Sequence, residues 1–350
     1  MIKTKLMEML GIKYPIIQAG MGPYSTTRLA AAVANAGGLG IISGVGMGVC
    51  KLLGGQKFMD YDPKKSPAQN MREAIHYVKE ATQKSGGIFG VNVPVAVEFR
   101  EISDELIQTA IEEREKDPDL VRRMKVIITS AGNPERHAEM IKESGVLRFH
   151  VCPSPYHAKK AEKAGADLVI ASGHEGGGHV AHEPVHSMVL IPEVVKTVSV
   201  PVVAAGGFCD GAGLVAALAL GAVGIQMGTR FIATKESDFL DYYKDYTRNL
   251  GDVRKTIVAR GVFGRIRYLK TDATVELYEM ERRGCPDAEV ADFEMKAIQA
   301  IHFGDPKKAA FFGGEVAGRF SDLPTVKAVS YTHLRAHETP EHLVCRLLLE

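Results

Sequence analysis

The sequence predicts an α/β fold, a TIM (β/α)8 barrel with an inserted loop and a C-terminal helical subdomain, and three observations carry that prediction. Between residues 14 and 232, eight short β-branched or apolar runs alternate with helix-period segments. Several of the runs (VIIT, LVIA, VVAA) are apolar throughout, as parallel strands covered on both faces must be. The polar and glycine-rich signals all follow strands: QAGM at 18–21, NVP at 92–94, TSAGNP at 129–134, SGHEGGGH at 172–179, AAGG at 204–207 and MGT at 227–229. A barrel keeps its active-site loops there, whereas an open doubly wound sheet gathers its site at one switch point.

In chain order the expected strands are Pro15–Gln18, Gly40–Ser43, Gly90–Val93, Val126–Thr129, Arg148–Cys152, Leu168–Ala171, Val202–Ala205 and Gly224–Met227. Helices are expected over Ala68–Gln83, Pro134–Glu143, Tyr156–Ala164, Ser187–Thr197 and Gly211–Leu220. Residues 44–67 form a longer loop than a barrel connection needs; its G-V-G-M-G run is a poor dinucleotide fingerprint because no convincing helix follows. The charged run at 98–123 reads as a solvated helix face. The domain expectation is a barrel over 1–234, a helical subdomain over 235–328 at the barrel mouth, and a non-native tail over 329–350.

That tail changes composition abruptly. VSYTHLRAHET resembles the in-frame translation of a transposase-type sequencing adapter, so the natural sequence is expected to end near Ala328, leaving His333, His337, His342 and Cys345 without function. The competing reading is a genuine amphipathic terminal helix.

Across the 350 residues, 45% are hydrophobic and 24% charged, with a formal net charge of +1. This balance suits a globular protein and offers no global field for nucleic acid or a membrane surface. The five cysteines (50, 152, 209, 285 and 345) make no C-x-x-C, and the N-terminus lacks a secretory leader. Reduced thiols in a cytoplasmic protein are the expectation. The longest apolar run, Leu214–Met227, is too short to span a bilayer.

Two glycine motifs point to a phosphate. Ala204-Ala205-Gly206-Gly207 follows the seventh strand and Met227-Gly228-Thr229 the eighth, where barrels commonly hold one. Glycine lets several backbone N–H groups approach one anion, Thr229 adds a hydroxyl, and the helix starting near Asp210 adds its dipole. The plain alternative is tight turns at strand ends.

The stretch SGHEGGGHVAHEPVH at 172–186 contains a literal H-E-x-x-H: His182, Glu183, Pro184, Val185, His186. A zinc hydrolase needs that motif on a sustained helix, and Pro184 together with the upstream glycines argues against one. A phosphate-binding aldolase or synthase barrel is a further reading, weakened because no lysine at a strand end stands out as a Schiff-base residue. No metal site is expected.

Taken together, PIIQAGM, GVNVPV, TSAGNP, GADLVIASGHEGGGH, VPVVAAGGFCDG and GAVGIQMGTRFIATKES resemble the nitronate monooxygenase (2-nitropropane dioxygenase) family from about Gly11 to Ala328. That family also includes the flavin-dependent enoyl-acyl-carrier-protein reductases of the second kind. The resemblance implies non-covalent FMN, with its phosphate on Gly206/Gly207 and Gly228/Thr229. The flavin ring would lie near Ala19, Gly20, Met21, Asn92 and Ser130, with Gly177, Gly178 and Gln226 completing the cofactor-binding set. Asn92 offers a donor and an acceptor to a polar ring edge, the alternative being a strand-end cap. The family's catalytic histidine matches His179, an imidazole suited to moving a proton near neutral pH.

The implied activity is oxidation of nitronates or nitroalkanes with O2; the alternative is NAD(P)H-dependent reduction of enoyl thioesters. Many nitronate monooxygenases carry a lysine where this chain has Val151, which leans toward the reductase branch, while VAHEPVHSM departs from both patterns. The partners implied are a small-molecule substrate or an acyl thioester, with a possible homodimer and neither nucleic acid nor membrane. His182 and His186 are expected as loop and helix-entry residues, and His174 and Glu175 in surface or supporting roles.

Overall fold

The computed structural model describes residues 3–49, 62–261 and 264–335. Helix α1 (Lys5–Leu10) leads into β1 (Ile16–Gln18), α2 (Thr27–Ala36), β2 (Gly40–Ser43), α3 (Val45–Val49), α4 (Pro67–Ala81) and β3 (Phe89–Pro94). Next come α5 (Arg100–Glu115), α6 (Pro118–Arg123), β4 (Met124–Ser130), α7 (Ala138–Glu143), β5 (Leu147–Cys152), α8 (Pro155–Lys163) and β6 (Leu168–Ser172). The minimal strand β7 (Gly178–His179) precedes α9 (Ser187–Thr197), β8 (Val202–Ala205), α10 (Gly211–Ala219), β9 (Ile225–Met227) and α11 (Thr229–Ile232). An excursion follows: α12 (Asp241–Arg248), β10 (Thr256–Gly261), β11 (Gly264–Leu269), α13 (Asp272–Arg282) and α14 (Asp287–Gln299), before the chain returns as α15 (Val326–Arg335).

All eight expected barrel strands form, pairing in parallel in the order β1-β9-β8-β6-β5-β4-β3-β2. The seam between β1 and β2 has few backbone rungs. Leu39 bridges it, donating to Ile16 O at 2.9 Å and accepting from Gln18 N at 3.0 Å. Gln18, fully buried, adds its carboxamide: Nε2 donates to Ile41 O at 2.8 Å and Oε1 accepts from Ile41 N at 3.2 Å. A side chain thus imitates a ladder rung where strand pairing runs out.

Inside the barrel, Ile17, Ile41, Val126, Ile128, Phe149, Ile170 and Val203 form one apolar plug, and Leu6 and Leu10 of α1 close it from below. The interior is therefore a packed core and leaves only the C-terminal mouth for chemistry. Local capping places the outer helices: Ser66 and Gln69 form a capping box on α4 with Pro67 in its first turn, and Ser154 caps α8 ahead of Pro155.

The structure departs from the expectation in three places. Helix α7 starts at Ala138 rather than Pro134, because Asn133 Oδ1 accepts from Glu135 N and His137 is tied to Asp104, holding 133–137 in turns. The G-V-G-M-G run lies largely within α3 itself; residues 50–61 of its loop fall outside the described residues. The stretch 235–310, expected to be helical from its composition, also contains the antiparallel β10–β11 hairpin, which adds β7 to make a three-stranded sheet. Its strands, TIVARG and GRIRYL, place arginines where an apolar alternation would have declared them.

Helix α15 packs against α2 and α10, filling the slot in the helix ring between the partners of the first and seventh barrel strands. Val326 and Val329 are buried there. Most of the tail expected to be non-native, 336–350, lies outside the described residues. Among the described residues no helix is long and apolar enough to cross a membrane.

Replacing Gln18 by Leu strands the buried Ile41 amide at the seam, while the Ile41 carbonyl keeps the Thr26 hydroxyl at 3.0 Å. Urea unfolding is expected to show a loss of about 1–3 kcal/mol, with the far-UV spectrum retained.

Candidate active site

The C-terminal mouth opens into a cavity of about 530 Å³. All thirteen residues singled out from the sequence line it: His179, the Ala19–Gly20–Met21 run, Asn92, Ser130, Gly177, Gly178, Gly206, Gly207, Gln226, Gly228 and Thr229.

The strand ends set the geometry on one side. Ala19 N donates to Met227 O at 2.8 Å, tying the loop after β1 to the end of β9. A Cβ on Gly20 would lie 2.2 Å from Asn92 Oδ1, so only glycine lets β3 bring that amide alongside. Asn92 Nδ2 donates to Ile128 O and to Ser130 Oγ, each at 3.2 Å. Both amide hydrogens are thereby used within the wall, leaving Oδ1 as an acceptor, rather than the donor–acceptor pair anticipated. Ser130 Oγ accepts that bond and keeps its own hydrogen to donate.

Opposite lies the glycine cradle. Gly206 and Gly207 are consecutive left-handed residues, φ 79° and 85°, and a Cβ on Gly206 would sit 2.5 Å from Gly173 O. The loops after β8 and β6 therefore meet backbone to backbone. Gly228 caps α11, and Thr229 Oγ1 accepts from Gly314 N at 2.9 Å, which frees its hydroxyl hydrogen to donate. The helix beginning after Asp210 contributes less than anticipated. Asp210 Oδ1 accepts from Gly213 N at 2.8 Å and its other oxygen pairs with Arg319, so a carboxylate already occupies that N-terminus.

His179 is exposed and lines the cavity from β7, where Ile266 of β11 is its ladder partner. The histidine is thus aimed by a hairpin that arrives more than 80 residues later in the chain. Glu175, ambiguous in the sequence, also lines the cavity and accepts from Ser187 N and Oγ at the start of α9. His174 is tilted against His186, its pKa lowered by burial first and then by Arg267. His182, Glu183 and His186 are exposed and non-helical, with His186 as the N-cap of α9.

Three groups in the wall escaped the sequence reading. His150 of β5 is 3% exposed, and its Nδ1 lies 2.7 Å from Thr129 Oγ1. Glu294 of α14, hydrogen-bonded by Tyr268, contributes a buried carboxylate. Phe312, Gly313 and Gly314 close the mouth beside Ile266, packing on the 175–177 backbone so tightly that a Cβ on Gly177 would reach 2.5 Å from Gly313 C. The glycine pair in FFGGEVAG was the available signal for this last element. Val151 lines the cavity as an apolar residue.

Burial pushes the His150 pKa down to about 3, helped by Arg148 and His157, so the folded protein holds this imidazole neutral. Because the folded value lies below the ordinary 6.5, the unfolded chain binds an extra proton between the two. The stabilising effect is complete above pH 6.5 and is lost as pH falls toward 3. Urea unfolding from pH 7 to 4 is expected to show a slope in His150→Gln shallower than wild type by close to one proton.

A family model described as nitronate monooxygenase matches residues 3–330. A (3aS,4S,5R,7aS)-5-hydroxy-7a-methyl-1-oxo-octahydro-1H-indene-4-carboxyl-CoA dehydrogenase of Rhodococcus jostii is 38% identical over 277 residues, covering 77% of this chain and 67% of that one. A probable nitronate monooxygenase of Staphylococcus aureus is 29% identical over 347 residues, 89% of this chain and 91% of that one. Among solved structures, FabK from Thermotoga maritima superimposes with a TM-score of 0.81 at 32% identity, covering 99% of each chain. Nitroalkane oxidase from Streptomyces ansochromogenes gives 0.74 at 26% identity, again over 99% of each. With its barrel, its cavity and these likenesses together, the chain belongs to the nitronate monooxygenase family and is a flavin-dependent oxidoreductase.

Proposed function

We propose that the chain binds FMN in this cavity and oxidises or reduces an acyl thioester, with His179 moving the proton on the carbon beside the activating carbonyl. The observation that carries the flavin part is the convergence of all thirteen residues on one cavity, with several glycines among its lining. Gly206, Gly207, Gly228 and Thr229 would hold the phosphate: the tandem left-handed glycines form a backbone turn without side chains, and Thr229 has a hydrogen to donate. Asn92 Oδ1 and Ser130 Oγ would face the polar ring edge with an acceptor and a donor respectively. Bound there, FMN supplies the hydride acceptance and donation that no side chain of the chain offers.

Two likenesses move the thioester ahead of the nitronate. The relative with 38% identity is named for a carboxyl-CoA substrate, and the FabK structure matches with higher identity than nitroalkane oxidase. Apolar Val151, where a lysine was expected of many nitronate monooxygenases, points the same way. The apolar residues Ile266, Ile298 and Phe312 give the mouth a surface suited to an acyl chain.

The second reading is nitronate oxidation with O2, supported by the near full-length likeness to probable nitronate monooxygenases. The work of His179 is the same in both, because a nitro group and a thioester carbonyl each acidify the neighbouring C–H. Burial pushes the pKa values of the Cys152 and Cys209 thiols up to about 12 and about 11, which keeps both protonated and out of thiolate chemistry.

Purified protein is expected to be yellow, to bleach anaerobically with NAD(P)H and to recolour on adding an enoyl-CoA. Bleaching by an alkyl nitronate but not by NAD(P)H would assign the monooxygenase instead. Colourless protein that FMN does not reconstitute would overturn both.

His179→Ala is expected to retain flavin and to lose roughly 10²-fold or more in turnover, checked by steady-state assay beside the flavin spectrum. Gly206→Ala should weaken FMN retention about tenfold or more through its clash with Gly173 O, read as flavin fluorescence released on dilution.

A further inference from the structure

The cavity wall holds a second imidazole, at a place where neither the sequence motifs nor the phosphate cradle assigns a role. His150 stands on β5 in register with Thr129 of β4, almost wholly buried yet part of the cavity lining. Thr129 has one hydroxyl hydrogen and two acceptors within reach, His150 Nδ1 at 2.7 Å and Phe149 O at 3.3 Å. Two arrangements are open: Nδ1–H donates to Thr129, whose hydroxyl goes to Phe149 O, or the hydroxyl goes to the nearer Nδ1, and we take the second as the basis of the inference. In a neutral ring that fixes the tautomer: Nε2 carries the remaining hydrogen, and it is the ring nitrogen left for the cavity.

We propose that His150 is a neutral, tautomer-locked hydrogen-bond donor to a carbonyl oxygen of the molecule held in the cavity. The inference rests on the flavin reading given above. A carbonyl is the shared chemistry of two sources: a ring carbonyl of the flavin and the carbonyl of the acyl thioester. A donor without charge suits either one, because it orients the oxygen without the desolvation penalty of burying a cation. Deep burial beside Arg148 and His157 keeps the ring in that form throughout the range in which an exposed histidine titrates. The two imidazoles of the cavity then divide the labour. His179, exposed on β7, exchanges protons, and His150 holds an oxygen in place.

The test compares His150→Phe, His150→Gln and Thr129→Val with wild type in three measurements: the FMN dissociation constant of the apoprotein, the visible spectrum of the bound flavin, and the dissociation constant for crotonyl-CoA titrated into the holoenzyme. If the flavin is the source, His150→Phe raises the FMN constant about tenfold and shifts the visible bands. If the thioester is the source, FMN binding is unchanged and the crotonyl-CoA constant rises by a similar factor. In either case His150→Gln, which keeps a neutral N–H donor, recovers most of the loss. Thr129→Val, which removes the lock while keeping the volume, shows a loss of about fivefold in the same constant.

All constants and bands in His150→Phe matching wild type would overturn the proposal. Should that variant fail to fold, an unchanged Thr129→Val would overturn it equally. So would 15N NMR of the wild-type protein showing the hydrogen on Nδ1 of His150. A wild-type protein that takes up no FMN sinks the flavin reading itself. Normal FMN uptake by wild type and all variants, with no change in crotonyl-CoA binding, sinks only the role of His150.

Discussion

Closure of the barrel is the constraint on which the other features depend. Eight short parallel strands must end on one rim, and the β1–β2 junction is where backbone pairing is thinnest. The Gln18 carboxamide completes it by exchanging two hydrogen bonds with Ile41. From that point the chain turns directly into Ala19-Gly20-Met21, and Ala19 is tied across to Met227. A slip at the seam would move the first cavity loop relative to both the Asn92 amide and the Gly228 turn. The interior, with Leu6 and Leu10 below it, resists such a slip because its buried side chains pack on one another.

The cavity is then assembled from two kinds of wall. One is backbone: glycines after β6 and β8 meet each other, and Gly177 meets the 313–314 turn, at distances no Cβ permits. The other is made of side chains whose hydrogen bonds are already partly committed, so each presents one defined group. Asn92 is left with an oxygen, Ser130 and Thr229 with a hydroxyl hydrogen, and His150 with Nε2. Such commitment fixes orientation before a ligand arrives, which is how a site avoids losing affinity to side-chain ordering.

The excursion between β9 and α15 links this rim to the outer layer. Its hairpin pairs with β7 and so aims His179, while its helices bury Tyr268 and Glu294 against the mouth. The chain then returns through Phe312–Gly314 to complete the helix ring with α15. The placement of His179 is therefore tied to the stability of a segment that contributes no barrel strand.

The barrel and its glycine turns were legible in the sequence because both obey local rules. Buried parallel strands are apolar throughout, and a left-handed turn or a backbone-to-backbone contact requires glycine wherever it falls in the chain. Pro184 and the upstream glycines likewise argued locally against a helix through the H-E-x-x-H stretch, and residues 182–186 are non-helical. Only the tertiary structure decided which groups share the cavity from afar. The β10–β11 hairpin carries arginines that hide its alternation, and Glu294 reads as one more charge on an amphipathic helix until the fold brings it to the mouth. His150 looks like an ordinary strand residue. Its importance arises from Thr129 on the neighbouring strand and from burial, and neither lies within reach of a local window. Local sequence determined backbone geometry here, while long-range packing determined the protonation, orientation and company of the side chains.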